Sequence, residues 1–287
     1  MEIQENLLST KNYLIRFILL LVRELLFYCM LDLGEKMRKL YSANNPCQAG
    51  CKYCFASWKD IYDGQPSIQT ASLDNESTLL YPCCDGELFD QTDIINCIKK
   101  LSSRSKKIYV SISTKRRLTV EEIDYLVALD KYLKENNQGF LKFSISVTTK
   151  SRIGEIEPRS ASYEERLLVV EQLKNAGILT SLNIKPILPF ISEQEYFEIL
   201  KDFSKYTNHI MLGGLYVNPS SSFYQRYIKG KFDCTKRKVR WLDNHPEWYY
   251  VEDKLKTQKI TEYAIELGMQ VYQSDEDFIN TIRNQMD

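Results

Sequence analysis

The stretch FLKFSISVTTKSRIGEIEPRSASYEERLLVVEQLKNAGILTSLNIKPIL, residues 140–188, decides the fold class of this chain. It begins and ends in runs rich in β-branched and aromatic residues, which are typical of strands, and the segment between them has the period of a helix. Ser162 with Glu165 forms a capping-box pattern that predicts the helix start, and Gly177 predicts its end, because glycine readily takes the left-handed conformation of a C-terminal cap. Strand, helix and strand in this order predict a right-handed βαβ unit of a parallel sheet.

The same alternation continues on both sides of this unit. Further capping boxes predict helix starts at Thr119 with Glu122 and at Ser192 with Glu195. The other predicted strands cover residues 39–44, 77–83, 107–114 and 209–217. We therefore expect an α/β fold, a partial (β/α)6 TIM-like barrel of parallel strands, with functional groups at the carboxyl ends of the strands.

Three segments are expected along the chain: an N-terminal apolar helix in residues 1–36, the barrel core in 37–219, and an α-rich extension covering the barrel in 220–287. Residues 13–31 are almost continuously apolar, but three charged residues interrupt them. Each central charge costs about 2.5–3.5 kcal/mol on insertion into a bilayer. A helix packed on the core is therefore favoured over a membrane-spanning helix, and a membrane-surface or partner-docking helix is the alternative.

Composition and charge indicate a soluble enzyme from a reducing compartment. The chain has 38 basic and 38 acidic residues, so no overall field favours nucleic acid or an anionic membrane. Eight cysteines in 287 residues do not form the framework of a small secreted domain, and they indicate thiols kept for a metal. We expect a cytoplasmic protein.

Polar side chains occupy one face of two predicted strands. Ser144, Ser146 and Thr148 share a face of one strand, and Asn183 and Lys185 share a face of the next. A buried parallel strand is normally apolar on both faces. These faces therefore predict a polar cavity, and the alternative is a barrel interior whose few polar groups satisfy one another.

Three cysteines, Cys47, Cys51 and Cys54, lie within the stretch NPCQAGCKYCFASW. A structural zinc site needs four ligands, commonly two Cys-x-x-Cys pairs, and the chain has no second pair. Three thiolates can instead hold three irons of a 4Fe-4S cubane and leave the fourth iron open. An open position is what separates a catalytic metal site from a structural one.

The pattern Cys-x3-Cys-x-aromatic-Cys, with Tyr53 as the aromatic residue, resembles the motif of the radical S-adenosylmethionine superfamily. Together with the α/β alternation, the resemblance covers roughly residues 39–218. It implies that Cys47, Cys51 and Cys54 ligate one 4Fe-4S cluster, and that S-adenosylmethionine binds the open iron and is reductively cleaved to a 5'-deoxyadenosyl radical. It also implies an electron donor such as flavodoxin or ferredoxin.

The resemblance also assigns contacts to the cofactor. Gly86 and Glu87 match the turn that receives the amino group of S-adenosylmethionine, although Asp85 replaces the first glycine of the usual Gly-Gly-Glu. Lys115 and Ser146 look like the residues that related enzymes use for the carboxylate and the ribose. Lys185 is a further candidate for a carboxylate or substrate contact.

The segment from residue 144 to residue 189 is similar to spore photoproduct lyases and their DNA-repair-photolyase-like relatives. Glu157-Pro158, Arg166-Leu167 and the proline-rich residues 186–189 carry this similarity. Such lyases use a downstream cysteine as a hydrogen donor, and Cys234 is a weak candidate for that catalytic role. The substrate stays open among nucleic acid, peptide and small metabolite, because local sequence does not fix function.

Residues 227–241, YIKGKFDCTKRKVRW, interleave basic and aromatic residues. Such a segment can grip phosphates and stack bases, and the alternative is a solvated lobe that covers the barrel. Two other function classes also remain: an iron-sulfur electron carrier, which normally supplies four cysteines, and a metal-stabilised binding protein that does not cleave S-adenosylmethionine.

Overall fold

The computed structural model describes residues 38–43, 45, 47–54, 67–70, 78–103, 107–137, 139–239 and 247–286. The chain divides into two compact units, Met1–Arg38 and Lys39–Asp287, and the site described below lies in the second. The predicted apolar helix at residues 13–31 falls outside the described residues. Among the residues that are described, no helix combines the length and the hydrophobicity needed to cross a bilayer.

A seven-stranded sheet forms the frame of the second unit. The strands of the chain are β1 (Arg38–Leu40), β2 (Thr78–Tyr81), β3 (Ile108–Thr114), β4 (Phe140–Ser146), β5 (Leu179–Ile184), β6 (His209–Leu212), β7 (Leu215–Val217), β8 (Thr235–Lys238), β9 (Glu247–Val251) and β10 (Gln270–Tyr272). The main sheet has the order β1-β2-β3-β4-β5-β6-β10, and β7, β9 and β8 form a small antiparallel sheet. From β2 to β10 each pair of neighbours in the main sheet is parallel, which confirms the predicted α/β class.

Helices follow most of these strands, and three of the helices begin directly after the predicted capping residues Thr119, Ser162 and Ser192. The helices are α1 (Ile94–Ser102), α2 (Val120–Asn137), α3 (Ile153–Ile156), α4 (Tyr163–Asn175), α5 (Glu193–Phe203), α6 (Lys254–Glu266) and α7 (Asp275–Met286). The capping box at Ser162 is confirmed, since both reciprocal bonds with Glu165 form, and Gly177 has a φ of +76° just after α4. The box at Ser192 is only half formed, because the carboxylate of Glu195 accepts hydrogen bonds from the loop that follows β4.

The predicted strand at residues 209–217 is interrupted by Gly213 and Gly214, which separate β6 from β7. A Cβ at Gly214 would lie 2.5 Å from the hydroxyl oxygen of Tyr250, and a Cβ at Gly213 would lie 3.0 Å from the side chain of Lys185. The two glycines therefore let the chain leave the main sheet and join the small one at close range.

The C-terminal region contains two long helices, as expected of an α-rich extension, and it also contributes strands. It combines the strands β8, β9 and β10 with the helices α6 and α7, and β10 extends the main sheet by pairing with β6. Helix α7 packs through Phe278, Ile279 and Ile282 against residues of the sheet. These partners are Leu79, Tyr109, Phe140, Met211 and Tyr272. A buried apolar layer thus fills this part of the interior, opposite the face on which α2 and α4 pack.

Polar groups fix the first residue of α7 to the sheet. Asp275 accepts hydrogen bonds from Ser111 at 2.9 Å and from Tyr81 at 3.1 Å, and it pairs with the fully buried Lys142. Burial would raise the pKa of Asp275, but the ammonium groups of Lys142 and Lys185 together with the hydrogen bond from Ser111 outweigh it and hold that pKa below its usual value. The interior near α7 is therefore closed by a buried ion pair.

Candidate active site at the carboxyl ends of the strands

The three-cysteine loop follows β1 and lies at the carboxyl ends of the strands. Cys51 is buried, and Cys47 and Cys54 are partly buried. The three thiols are close enough for their charges to act on one another, and burial raises the pKa of Cys51 to about 12 and also raises that of Cys47. Thiols in such a place become thiolates readily only when a metal supplies the opposing charge.

The donor set of the loop consists of three thiols. Within the described ranges, no three ligating side chains are placed to share one metal ion. In a cubane each cysteine ligates a different iron, so its thiolates stand farther apart than the ligands of a zinc ion. Cys47, Cys51 and Cys54 are the residues that would hold a 4Fe-4S cluster, and this assignment stays a prediction.

Backbone contacts hold the cysteine loop against the segment that follows β4. The amide of Lys52 donates to the carbonyl of Ile156 at 2.9 Å, and the amide of Arg159 donates to the carbonyl of Ala49 at 3.2 Å. Gly50 has a φ of +64°, and a Cβ there would lie 2.9 Å from the guanidinium of Arg159. The conformation of the backbone between the first two cysteines therefore favours glycine, and the guanidinium of Arg159 packs in the space that its missing side chain leaves.

Asp85, the residue that departs from the usual Gly-Gly-Glu, braces the approach to the loop. Its carboxylate accepts hydrogen bonds from the hydroxyl of Ser42 and from the amide of Ala43, each at 2.5 Å. Next to it, a Cβ at Gly86 would lie 2.5 Å from the Cβ of Ala43. Asp85 therefore supplies a side-chain tie between the ends of β1 and β2 that glycine lacks, and Gly86 keeps the two segments in contact.

A second carboxylate, Glu157, braces the other end of the loop. It is fully buried, and it accepts hydrogen bonds from the hydroxyls of Tyr53 and Thr148, the latter at 2.7 Å. It also pairs at 2.6 Å with Arg166, which is itself fully buried. The Glu-Pro and Arg-Leu positions singled out in the sequence thus meet beneath the aromatic residue of the cysteine motif.

Glu87 lies buried at the end of β2, where it faces the neighbouring end of β3. Its carboxylate accepts hydrogen bonds from the hydroxyl of Thr114 at 2.5 Å and from the amide of Lys115 at 3.2 Å. Burial nevertheless raises the pKa of Glu87. A buried carboxylate with this shift gains from a cationic ligand, so the site suits an ammonium group.

Lys115 links the cysteine loop to Glu157. Its ammonium nitrogen lies 5.7 Å from the centre of the Tyr53 ring. Burial acts to lower the pKa of Lys115, but its electrostatic interactions with Cys51 and with the carboxylate of Glu157 outweigh it, and the pKa is raised. Lys115 is therefore held as a cation beside the three thiols and could bind a carboxylate.

The polar faces of β4 and β5 lie side by side in the sheet. Ser144 lies opposite Ser181, and their hydroxyls are 3.0 Å apart, so this pair is satisfied internally. Ser146 lies opposite Asn183, whose amide nitrogen is 3.5 Å from the serine oxygen. The buried side-chain oxygen of Asn183 has no hydrogen-bond partner among the described residues, so a ligand could supply one.

Lys185 is directed toward the start of α7. Its ammonium donates to the carbonyl of Gln273, and burial lowers its pKa to about 8, helped by the charge of Lys142. Its role as a carboxylate or substrate contact stays a prediction.

Two further thiols, those of Cys234 and Cys83, lie outside the cysteine loop. Cys234 donates weakly to the carbonyl of Phe232, 3.4 Å away, and its proposed catalytic role stays a prediction. Cys83 was not singled out in the sequence, yet it lies near enough to Glu87 and Cys47 for their charges to raise its pKa, after burial as the main cause. The signal that could have identified it is its position as the last residue of the predicted strand 77–83.

Comparisons with known proteins place these features in context. No protein-family model matches the chain. The chain is 27% identical over 125 residues to spore photoproduct lyase of Geobacillus sp. (strain Y412MC61), a match that spans 39% of this chain and 37% of the relative. The part of this chain that matches thus spans little more than a third of that relative's length.

Solved structures share the fold over most of the chain. A doubly substituted spore photoproduct lyase with bound AdoMet and dinucleoside spore photoproduct superposes with a TM-score of 0.56 at 15% identity, covering 82% of this chain and 76% of the other. Streptococcus suis SuiB bound to S-adenosylmethionine has a TM-score of 0.51 at 12% identity, covering 83% and 50%. This chain is thus similar in sequence to spore photoproduct lyase over part of its length, and it shares its fold with that lyase and with SuiB.

Proposed function

We propose that this chain is a radical S-adenosylmethionine enzyme with one 4Fe-4S cluster held by Cys47, Cys51 and Cys54. The observation that carries the proposal is a braced loop of three thiols beside the buried, partly satisfied carboxylate of Glu87. When bound, the cluster would supply the electron that cleaves S-adenosylmethionine to methionine and a 5'-deoxyadenosyl radical. The cytoplasm, being reducing, suits such a site.

The protein's own groups would bind and orient the cofactor. Glu87 would accept hydrogen bonds from the ammonium of the methionine part, and Lys115 would donate to its carboxylate. Ser146 and the unpartnered oxygen of Asn183 would bind ribose hydroxyls. Tyr53, fixed by Glu157, would form one wall of the site and help to exclude water.

For the substrate we propose a nucleic acid, the class to which the dinucleoside in the related lyase structures belongs. The strand β8 has four exposed residues, Thr235–Lys238, of which three are basic. Arg237 lies 3.7 Å from the centre of the Tyr250 ring, which holds its guanidinium in place. A strand of exposed cations on a neutral protein suits a phosphate backbone.

The first experiment is an anaerobic assay. The protein is reconstituted with iron and sulfide, S-adenosylmethionine and dithionite are added, and 5'-deoxyadenosine is measured by mass spectrometry. We expect product from the wild type, none when the three loop cysteines are replaced by Ala, and at least a tenfold loss for Glu87→Gln. Cys97→Ala, at a partly buried position in α1, is the matched control and should be active. A properly formed cluster that never cleaves the cofactor would leave an electron carrier or a binding protein as the function.

The substrate class has its own test, which is binding to a short DNA duplex at several salt concentrations. Lys236→Gln with Lys238→Gln should weaken binding and lower the slope of log K against log salt by about 0.9 for each lost phosphate contact. Lys131→Gln, an exposed lysine of α2, should leave both unchanged. Equal affinity and slope in the β8 variant and the wild type would exclude β8 as the nucleic-acid surface.

A further inference from the structure

A chain of packed aromatic rings leads away from the cysteine loop. Tyr53, which stands between Cys51 and Cys54 in sequence, meets Phe223 edge to face with ring centroids 6.1 Å apart. Phe223 in turn meets Tyr227, with centroids 4.9 Å apart. Phe190 stacks on Tyr227 at 5.2 Å and is 6.1 Å from Phe223, so the rings form one continuous cluster.

The outer end of this cluster is covered by two guanidinium groups. Arg152 lies 4.9 Å from the centre of the Phe190 ring and 5.6 Å from that of Tyr227. Arg226 lies 5.2 Å from the Tyr227 ring, and its side chain is 68% exposed. Solvent thus meets cations at the place where the buried rings end.

Further cations follow in the turn after Tyr227. Lys229 and Lys231 are exposed, and the ammonium of Lys231 donates to the carbonyl of Arg226 at 2.8 Å. With Arg152 and Arg226 they make four cations, against the two carboxylates of Glu155 and Asp233. On a chain with no net charge, this local excess attracts an acidic partner.

The burial of Phe223 and Tyr227 favours an acidic protein over a nucleic acid as the partner of this surface. Phe223 is 2% exposed and Tyr227 is 7% exposed, so neither face is open for a nucleic-acid base to stack on. Their packing instead joins the cationic surface to the loop that holds the candidate cluster. Electron tunnelling weakens steeply with distance and with gaps in packing, so contiguous buried rings offer a favourable path.

We propose that Arg152, Arg226, Lys229 and Lys231 form the docking surface for an acidic one-electron carrier protein, and that Tyr227, Phe223 and Tyr53 form the path inward. The inference rests on the proposed function, since it needs a cluster to reduce. The carrier gives up one electron and the cluster accepts it, and no bond is made or broken in the protein.

The docking surface is tested with purified flavodoxin as the probe. Arg226→Glu reverses one exposed charge, and its matched control is Lys131→Glu, at an exposed lysine of α2. We expect Arg226→Glu to weaken flavodoxin binding, measured by calorimetry at low salt, by about tenfold, and the difference to shrink at high salt. The same variant should cleave S-adenosylmethionine about tenfold more slowly with reduced flavodoxin and at the wild-type rate with dithionite.

The path is tested by Phe223→Leu, with Phe197→Leu as the control because Phe197 pairs with Tyr263 elsewhere in the fold. Flavodoxin binding should be unchanged in both, while reduction of the cluster by bound flavodoxin, followed by stopped-flow absorbance, should be slower only in Phe223→Leu. Equal reduction rates in the two variants would overturn the path.

The outcomes separate the two proposals. If the wild type fails to cleave S-adenosylmethionine even with dithionite, the proposed function is wrong. If dithionite works but Arg226→Glu binds flavodoxin as the wild type does, the docking surface is wrong. A loss of DNA binding in Arg226→Glu, with flavodoxin binding intact, would make this surface part of the nucleic-acid site and overturn the inference.

Discussion

Replacing Glu157 by Gln tests whether its carboxylate braces the cysteine loop. The side chain is fully buried and pairs at 2.6 Å with the equally buried Arg166. Removing one partner of a buried pair costs about 3–5 kcal/mol, because the other charge is left uncompensated. Arg166 keeps two carbonyl acceptors, those of Ser146 and Ala161, each at 3.0 Å. We therefore expect the lower end, a loss of about 3 kcal/mol, or roughly 6–12 °C in Tm for a chain of this size.

The stability lost in Glu157→Gln should also depend on pH. Burial would raise the pKa of Glu157, but the charges of Lys115 and Arg166 outweigh it, and the pKa is lowered. A lowered carboxyl pKa contributes stability that is present above the unfolded value and is lost as the pH falls through the folded value. The difference in unfolding free energy between the wild type and Glu157→Gln should thus be full at neutral pH and shrink in acid.

The assay is urea denaturation followed by circular dichroism at pH 7 and at several acidic values. Glu198→Gln, which breaks an ion pair with Lys150 at a side chain that is 52% exposed, is the control and should change stability by about 0–1 kcal/mol. If Glu157→Gln also costs less than about 1 kcal/mol, the backbone acceptors alone satisfy Arg166, and the bracing role of Glu157 is refuted.

Three further predictions concern Gly86 and Asp85, which follow β2, and Lys185, which follows β5. Gly86→Ala should destabilise the fold by about 1–3 kcal/mol, because the new Cβ would lie 2.5 Å from the Cβ of Ala43. The variant should also take up less iron on reconstitution, and a normal iron content would contradict this. Asp85→Asn should cost about 1–2 kcal/mol in urea denaturation, since one charge-assisted bond to Ser42 or the Ala43 amide is lost. Lys185 has a folded pKa of about 8 and an unfolded pKa of about 10.4, so between these values the folded chain binds fewer protons than the unfolded chain. The free energy of unfolding of the wild type should therefore rise across that pH window relative to Lys185→Met. Parallel curves of unfolding free energy against pH would refute this.

Much of the fold and part of the site follow from short-range patterns in the sequence. The βαβ alternation, the capping box at Ser162 and the cap at Gly177 involve residues a few positions apart, and the structure confirms all three. Strand alternation likewise placed Ser146 and Asn183 each on the polar face of its strand, and the structure adds that the two residues lie opposite each other. The spacing of Cys47, Cys51 and Cys54 fixed the candidate ligands, since three thiols within eight residues stay close in almost any fold.

The tertiary structure alone decided how that loop is held and how the interior is filled. The bonds from Asp85 to Ser42 and from Tyr53 to Glu157 join residues 43 and 104 positions apart, and no local pattern encodes such pairs. The strand β10 has three residues, which is too short for a periodic signal, so its place in the sheet was not predicted. Sequence thus determines elements and ligand spacing because these depend on neighbours, whereas packing determines the braces, the aromatic path and the charge around the thiols because these depend on residues brought together by folding.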